Sequence, residues 1–199
     1  MRVIERRIIT GVLVSVLALL MMIWSAPLSA QVQRGEAAAN PVPNPSFEDV
    51  KDGVPVGWEQ RNWQAKAEFG LEEGGRAGKT SARISSTDGA DASWSAVVPI
   101  TPFAKYRLSG WIKTKDLDPG LSRGALLNIH GMNVATRPLR GTQDWTRVDV
   151  EFDSGANDAV SVNCLFGGWG KATGAAWYDD IRLEMLSVRA MNPRAAIDA

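Results

Sequence analysis

The chain has 199 residues, and its 22 Lys and Arg balance 22 Asp and Glu, so the formal net charge at pH 7 is zero. This balance excludes a general nucleic-acid binder, because such proteins need a basic excess to displace counterions from phosphates. Apolar residues make up 45% of the chain, enough for a packed core, while 19 Gly and 10 Pro indicate many turns and few long helices.

The first 30 residues have the pattern of an export signal. Three arginines precede the uncharged apolar stretch Ile8–Trp24, and small residues up to Ala30 suit a cleavage site. A cleaved signal peptide is the favoured interpretation, and an uncleaved anchor helix is the alternative. In both cases we expect export to the periplasm, the cell envelope or the extracellular space, with membrane contact only through this segment if it is uncleaved.

The remaining chain divides into a leader, a β-domain and a tail. Residues 31–43 are small and polar, which predicts a flexible leader, and residues 187–199 predict a frayed tail. Between them, residues 44–186 alternate apolar and polar side chains with period two, which predicts an antiparallel β-sandwich. The clearest predicted strands are Tyr106–Lys113, Trp145–Phe152, Val160–Phe166 and Ala175–Leu183, with shorter ones at 81–85, 93–100 and 126–132.

Cys164 is the only cysteine, so the chain cannot form an internal disulfide. It alternates with polar Ser161 and Asn163 and shares a strand face with Val160, Val162 and Phe166. This position predicts a buried, unreactive thiol.

Four motifs in a fixed order resemble a known family. They are Asn44–Glu48 with Gly57-Trp58, then Tyr106–Lys113, then Trp145 ahead of an alternating strand, and finally Trp177–Leu183. Together they resemble the carbohydrate-binding modules of the family 4/9/16/22 type. Those modules are jelly-roll sandwiches of the galactose-binding-domain-like group, so the resemblance implies this fold and a carbohydrate ligand.

The resemblance also implies a structural calcium ion. In such modules a carboxylate near the start of the domain and one from the last strand bind the ion with backbone carbonyls of a loop. Glu48 and either Asp179 or Asp180 match the carboxylates, and the loop 76–81, which includes Lys79, matches the carbonyls. Calcium takes six to eight oxygen ligands and tolerates irregular geometry. The alternative is that these residues form only hydrogen bonds and turn contacts.

Trp111 is the candidate for a sugar-stacking platform. It lies on the polar face of its predicted strand with Arg107 and Lys113, where an indole has no evident core to enter. We expect neighbouring strands to bring polar groups to the same surface and connections to add further rings. These candidates are Asn128, His130 and Asn163 on strands, and Trp58, Trp63, Trp94 and Trp169 in or near connections. Trp145 and Trp177 are interpreted as core or edge residues.

Catalysis has little support in the sequence. His130 is the only histidine, and there is no Gly-x-Ser-x-Gly motif. The favoured hypothesis is therefore an exported, non-catalytic carbohydrate-binding domain. The alternatives are a structural or protein-interaction domain of the cell envelope, or an accessory domain of a secreted hydrolase. The last is less favoured because the chain ends shortly after its last predicted strand. A groove with Trp111 lying flat along it would support the first hypothesis.

Overall fold

The computed structural model describes residues 39–188, which form eleven strands and no helix. The all-β prediction is confirmed for this range, and none of its elements is a helix long and apolar enough to cross a bilayer. The predicted signal, the leader up to residue 38 and the tail from residue 189 lie outside the described residues. The strands are β1 (Val50–Lys51), β2 (Val54–Pro55), β3 (Glu59–Gln64), β4 (Glu68–Glu73), β5 (Thr80–Pro99), β6 (Ala104–Asp118), β7 (Gly124–Ile129), β8 (Val134–Ala135), β9 (Gly141–Asp153), β10 (Ala159–Gly167) and β11 (Ala172–Val188).

The long strand β5 belongs to two sheets. Its first half pairs with β4 and β11, and its second half, from Asp91, pairs with β3 and β10. Sheet I has the order β4-β5-β11-β6-β9, and sheet II the order β3-β5-β10-β7-β8, all antiparallel. Gly89 lies where β5 passes from one sheet to the other. Its φ of +88° is a backbone conformation that residues with a Cβ disfavour. The predicted antiparallel sandwich is therefore confirmed.

The core lies between the two sheets. Strand alternation turns Trp94, Phe166 and Leu108 inward, and all three are fully buried. Tyr178 is also fully buried, and its hydroxyl donates to the Leu165 carbonyl at 2.6 Å. A register shift between Asp179 and Arg182 changes the parity of β11, so that Ile181, like Tyr178, faces the core.

Residues on both sides of the predicted range 44–186 take part in the fold. The Asn40 amide donates to Ile181 O at 2.9 Å and accepts from Leu183 N at 3.1 Å, and Val42 is buried. Residues 40–43 are thus part of the folded domain. The Asn40 side chain attaches them to β11, and a single amide contact of this kind produces no apolar–polar alternation in the sequence. At the other end, Val188 still pairs with Ala104 in β11, two residues beyond the predicted end.

We expect the Cys164 thiol to be unreactive in the folded protein. The side chain is fully buried, and burial raises its pKa well above the ordinary value, which suppresses the reactive thiolate. Labelling with a thiol-specific disulfide reagent at pH 8 should be slower by at least about 100-fold in buffer than in denaturant, because it requires opening of the fold. Equal rates in the two conditions would contradict this burial.

Candidate functional site

A cleft of about 520 Å³ lies on the outer face of sheet II. Its floor is formed by β10 and β7, and its walls come from the end of β3, the turn after β7 and the loop after β10. The lining residues are Trp63, Gln64, Asp91, Asn128, His130, Gly131, Met132, Asn133, Asn163, Leu165 and Trp169.

The floor of the cleft is a row of polar side chains in register. Asn163 of β10 pairs with Ser95 of β5 on one side and with Asn128 of β7 on the other. The Ser95 hydroxyl donates to Asn163 Oδ1 at 2.6 Å, and Ser93 Oγ lies 3.0 Å from Ser95 Oγ. Asn128 is 5% exposed, and its Oδ1 has no hydrogen-bond partner among the described residues. A buried acceptor without a donor costs free energy, so a hydrogen bond to this atom would be favourable once a donor reached it.

Trp63 forms one wall of the cleft. Its ring stacks on that of His130, with centroids 4.8 Å apart and planes inclined by 16°. Its Nε1 donates to Ser93 Oγ at 3.2 Å, and 39% of the residue remains exposed. The sequence indicated only a tryptophan near a connection, because nothing in it predicts the β-bulge that turns this ring over the sheet.

Trp169 forms the opposite rim, on a glycine-rich loop. It is 60% exposed, and its φ of +61° lies in the left-handed region that favours glycine. The buried carboxylate of Asp91 holds the loop by accepting from Gly168 N and Gly170 N, each at 3.2 Å. Burial raises the pKa of Asp91, and the backbone N–H donors oppose that rise. Asp91 therefore positions the loop that carries Trp169.

The structure brings together Asn128, His130, Asn163 and Trp169, four of the predicted ligand residues. Trp58 is different, because it is only 5% exposed and packs on Phe47 with ring centroids 4.9 Å apart. Its Nε1 donates to the Pro43 carbonyl at 2.9 Å. Trp58 therefore closes the end of the core, and neither it nor the fully buried Trp94 lines the cleft.

Trp111, Arg107 and Lys113 lie on the outer face of sheet I, opposite the cleft. The Arg76 guanidinium covers the Trp111 ring at 4.3 Å, and Lys113 Nζ lies 5.1 Å from the Trp177 ring centroid. The prediction that Trp111 shares a surface with Asn128, His130 and Asn163 is therefore wrong. Alternation along β6 and β7 shows which side chains point outward, but these consecutive strands belong to different sheets.

Arg107 also lies in an ion-pair network on that face. Its Nη2 is 2.7 Å from Glu151 Oε1, and its Nη1 is 3.5 Å from Glu184 Oε2. Lys105 Nζ contacts the second oxygen of Glu151 at 2.8 Å. These ion pairs raise the pKa of Arg107 and lower that of Glu151. The charge of Arg107 is already matched within the domain.

The carboxylates of the predicted calcium site meet the same loop. Glu48 Oε1 accepts from Lys79 N and Thr80 N at 2.8 Å, and Asp179 Oδ2 accepts from Ala77 N at 2.8 Å. A Cβ on Gly75 would overlap both Thr80 O and Asp179 Oδ2, so two oxygens converge there.

Asp180 instead forms an ion pair with Arg182 at 3.0 Å. No group of three or more His, Cys, Asp or Glu side chains within residues 39–188 is arranged to hold a metal. The oxygens that converge are Asp179 Oδ2 and Thr80 O, whereas the Lys79 carbonyl already accepts from Gly74 N and Gly75 N. The hydrogen bonds alone are sufficient to hold the loop.

No family model and no curated protein matches the chain. Among solved structures, a cyclase from Fischerella sp. TAU in complex with 4-(1H-indol-3-yl)butan-2-one is 15% identical, with a TM-score of 0.56 and coverage of 76% of this chain and 98% of the cyclase. The enzymatically active domain of bacteriophage CBA120 tailspike protein 4 is 13% identical, with a TM-score of 0.54 over 74% of this chain and only 21% of the tailspike chain.

A carbohydrate-binding module is also among the similar structures. The CBM22-1 xylan-binding domain of Paenibacillus barcinonensis Xyn10C is 18% identical and has a TM-score of 0.47, covering 72% of this chain and 92% of that domain. At these identities the comparisons establish the fold alone, and a TM-score of 0.47 supports no conclusion about ligand.

Replacing Asp91 by Asn should destabilise the domain by about 1–3 kcal/mol, because a buried carboxylate that accepts two N–H bonds loses one acceptor. The raised pKa of Asp91 means that the folded state holds its proton more tightly than the unfolded chain, so ionisation opposes folding as pH rises through that pKa. The wild-type advantage over Asp91→Asn should therefore grow as pH falls from neutral toward 4, as measured by urea unfolding. Asp88→Asn, at an exposed position of the same strand, should change neither the free energy of unfolding nor its dependence on pH.

Proposed function

We propose that the chain is a non-catalytic carbohydrate-binding domain whose ligand lies in the cleft of sheet II. The observation that carries this proposal is the unpartnered Oδ1 of Asn128, a buried acceptor that lines the cleft. Saccharides present closely spaced hydroxyl donors, and one of them would satisfy this atom. The adjacent Asn163 and Ser95 extend the row of polar contacts.

The walls of the cleft suit the apolar faces of sugar rings. Trp63 and Trp169 are both partly exposed and both line the cleft, although the Arg123 guanidinium lies 4.4 Å from the Trp169 ring centroid, as Arg76 lies over Trp111. Indole rings stack on C–H surfaces, while amides bind hydroxyl rims, so the combination of these walls with an amide floor favours a saccharide. The volume also falls within the range of about 300–1,000 Å³ for small-molecule sites.

The charges in the cleft favour binding over cleavage. Asp91 is the only carboxylate among the residues that line it, and both of its oxygens accept N–H bonds from the Trp169 loop. Glycoside hydrolysis normally requires a pair of carboxylic groups flanking the bond. The similar cyclase has an indole ketone bound, so a small aromatic ligand is the competing possibility that the binding experiment must include.

Export is part of the proposal and rests on the sequence alone. Residues 1–30 have the basic start, apolar stretch and small-residue end of a signal segment, and they lie outside the described residues. An exported domain would meet polysaccharides of the cell surface or surroundings, which agrees with a saccharide ligand.

Asn128→Ala should weaken saccharide binding by about 3- to 10-fold, the contribution of one hydrogen bond, while Trp111→Ala should leave binding within two-fold of wild type. The two substitutions lie on opposite faces of the sandwich, so the pair reports which face binds. Affinity electrophoresis against soluble xylan, β-glucan, galactan and polygalacturonate, followed by calorimetry, measures the effect.

Two results would contradict the proposal. Loss of binding in Trp111→Ala with full retention in Asn128→Ala would move the site to sheet I. Binding of 4-(1H-indol-3-yl)butan-2-one with no binding of any saccharide would make the cleft a site for small aromatic molecules.

We further propose that calcium binds where Glu48 and Asp179 meet the loop 76–81. The support is the convergence of Asp179 Oδ2 and Thr80 O beside Gly75, with Glu48 bound to the same loop. Carboxylate and carbonyl oxygens are the hard donors that calcium prefers. A bound ion would tie the start of the domain to its last strand.

Calcium at 100 times its Kd should stabilise the domain by about 2.7 kcal/mol, which raises Tm by about 5–10 °C for a domain of this size. Glu48→Gln should abolish the difference in Tm between calcium and chelator, whereas Glu184→Gln, an exposed residue elsewhere on β11, should retain it. Identical melting of the wild type in calcium and in chelator would exclude the ion.

A further inference from the structure

Trp63 and His130 form a parallel stack across the cleft. Their centroids are 4.8 Å apart, and their planes are nearly parallel. Trp63 belongs to β3, the edge strand of sheet II, whereas His130 follows β7, and β5 and β10 lie between those two strands. The stack therefore spans the polar floor of the cleft.

A β-bulge turns Trp63 over the sheet. Asn62 pairs with Ala92 and Gln64 pairs with Asp91, which makes Trp63 the extra residue in β3. Bulges re-aim side chains and are common beside binding sites. The indole has a single hydrogen bond, to Ser93 Oγ at 3.2 Å, and remains 39% exposed. The Arg61 guanidinium lies 5.8 Å from the ring centroid, so the indole is held by the stack, one hydrogen bond and this cation.

The floor under this stack is buried although it lies on an outer face. Ser93, Ser95, Asn128 and Asn163 point away from the core, yet none is more than 5% exposed. Burying Asn128 Oδ1 without a partner is unfavourable. The closed arrangement is thus stabilised by the aromatic stack and destabilised by the unpaired amide oxygen below it.

We infer that Trp63 is the stacking platform for the ligand and that the His130 ring occupies this platform in the free protein. The inference rests on the proposed saccharide site. A sugar ring displaces the imidazole from Trp63, and its hydroxyls then reach Asn128 and Asn163. The contact is autoinhibitory, and it selects ligands that both stack on an indole and donate a hydrogen bond at the floor.

The size of the effect follows from the stack that must be broken. An aromatic pair contributes enough to change an equilibrium constant by about 2- to 12-fold. Removing the histidine ring should tighten binding by a similar factor. If His130 instead contacted the hydroxyl rim of the ligand, removing its ring would weaken binding. The two roles of His130 therefore predict opposite changes in affinity.

The experiment compares His130→Ala, His130→Phe and Trp63→Ala with the wild type, using the same four soluble polysaccharides. His130→Ala should bind about 2- to 10-fold more tightly, because the platform is vacant. His130→Phe retains a ring for the stack and should not gain affinity. Trp63→Ala should lose binding. Circular dichroism and Tm check that each variant folds.

A second measurement follows the stack itself by NMR. The imidazole C–H protons should be shifted upfield by the indole ring current in the free wild type, and should return toward ordinary values in Trp63→Ala. Addition of a polysaccharide that binds should reproduce that return in the wild type. A ring-current shift that persists at saturation would overturn the displacement.

The outcomes separate this inference from the proposed function. Weaker binding by His130→Ala, with wild-type binding intact, would overturn the displacement and leave the saccharide site standing. Absence of binding by every protein, including His130→Ala, would overturn both. Binding by His130→Ala alone would support both, since it would show a site closed by the histidine.

Discussion

The passage of β5 from one sheet to the other is the constraint on which the site depends. The strand leaves sheet I near Gly89 and enters sheet II at Asp91, so the residues just beyond the crossing lie at the cleft. Asp91 fixes the Trp169 loop, and Ser93 and Ser95 continue into the floor. Strand β5 therefore supplies both the anchor of the Trp169 loop and part of the cleft floor. A shift of its register by one residue would turn these groups toward the core.

The two outer faces of the sandwich differ in how their polar groups are satisfied. On sheet I, Arg107 pairs with Glu151 and Glu184, and the ring of Trp111 is covered by Arg76. Exposed pairs of this kind contribute little to stability, but they leave few directed groups for a ligand. On sheet II the buried Oδ1 of Asn128 has no donor among the described residues.

Two backbone irregularities position the tryptophans of the cleft. Trp63 occupies a bulge in β3, and Trp169 adopts a left-handed conformation between glycines. Regular strands would project both rings perpendicular to the sheet. Such departures have a free-energy cost and persist only where surrounding contacts impose them, as the Asp91 carboxylate does for the Trp169 loop.

The all-β class, the sandwich, the burial of Cys164 and the outward direction of Asn128 and Asn163 were predictable from the residue pattern, because strand alternation is a local property. The pattern does not record which outward residues share a face, because that depends on strand pairing. Trp111 and Asn128 are 17 positions apart and both point outward, yet they lie on opposite sides, since β6 and β7 join different sheets. Strand pairing, bulges and side-chain contacts such as that of Asn40 depend on residues that are distant in sequence. The alternation of apolar and polar residues along the chain therefore does not predict them.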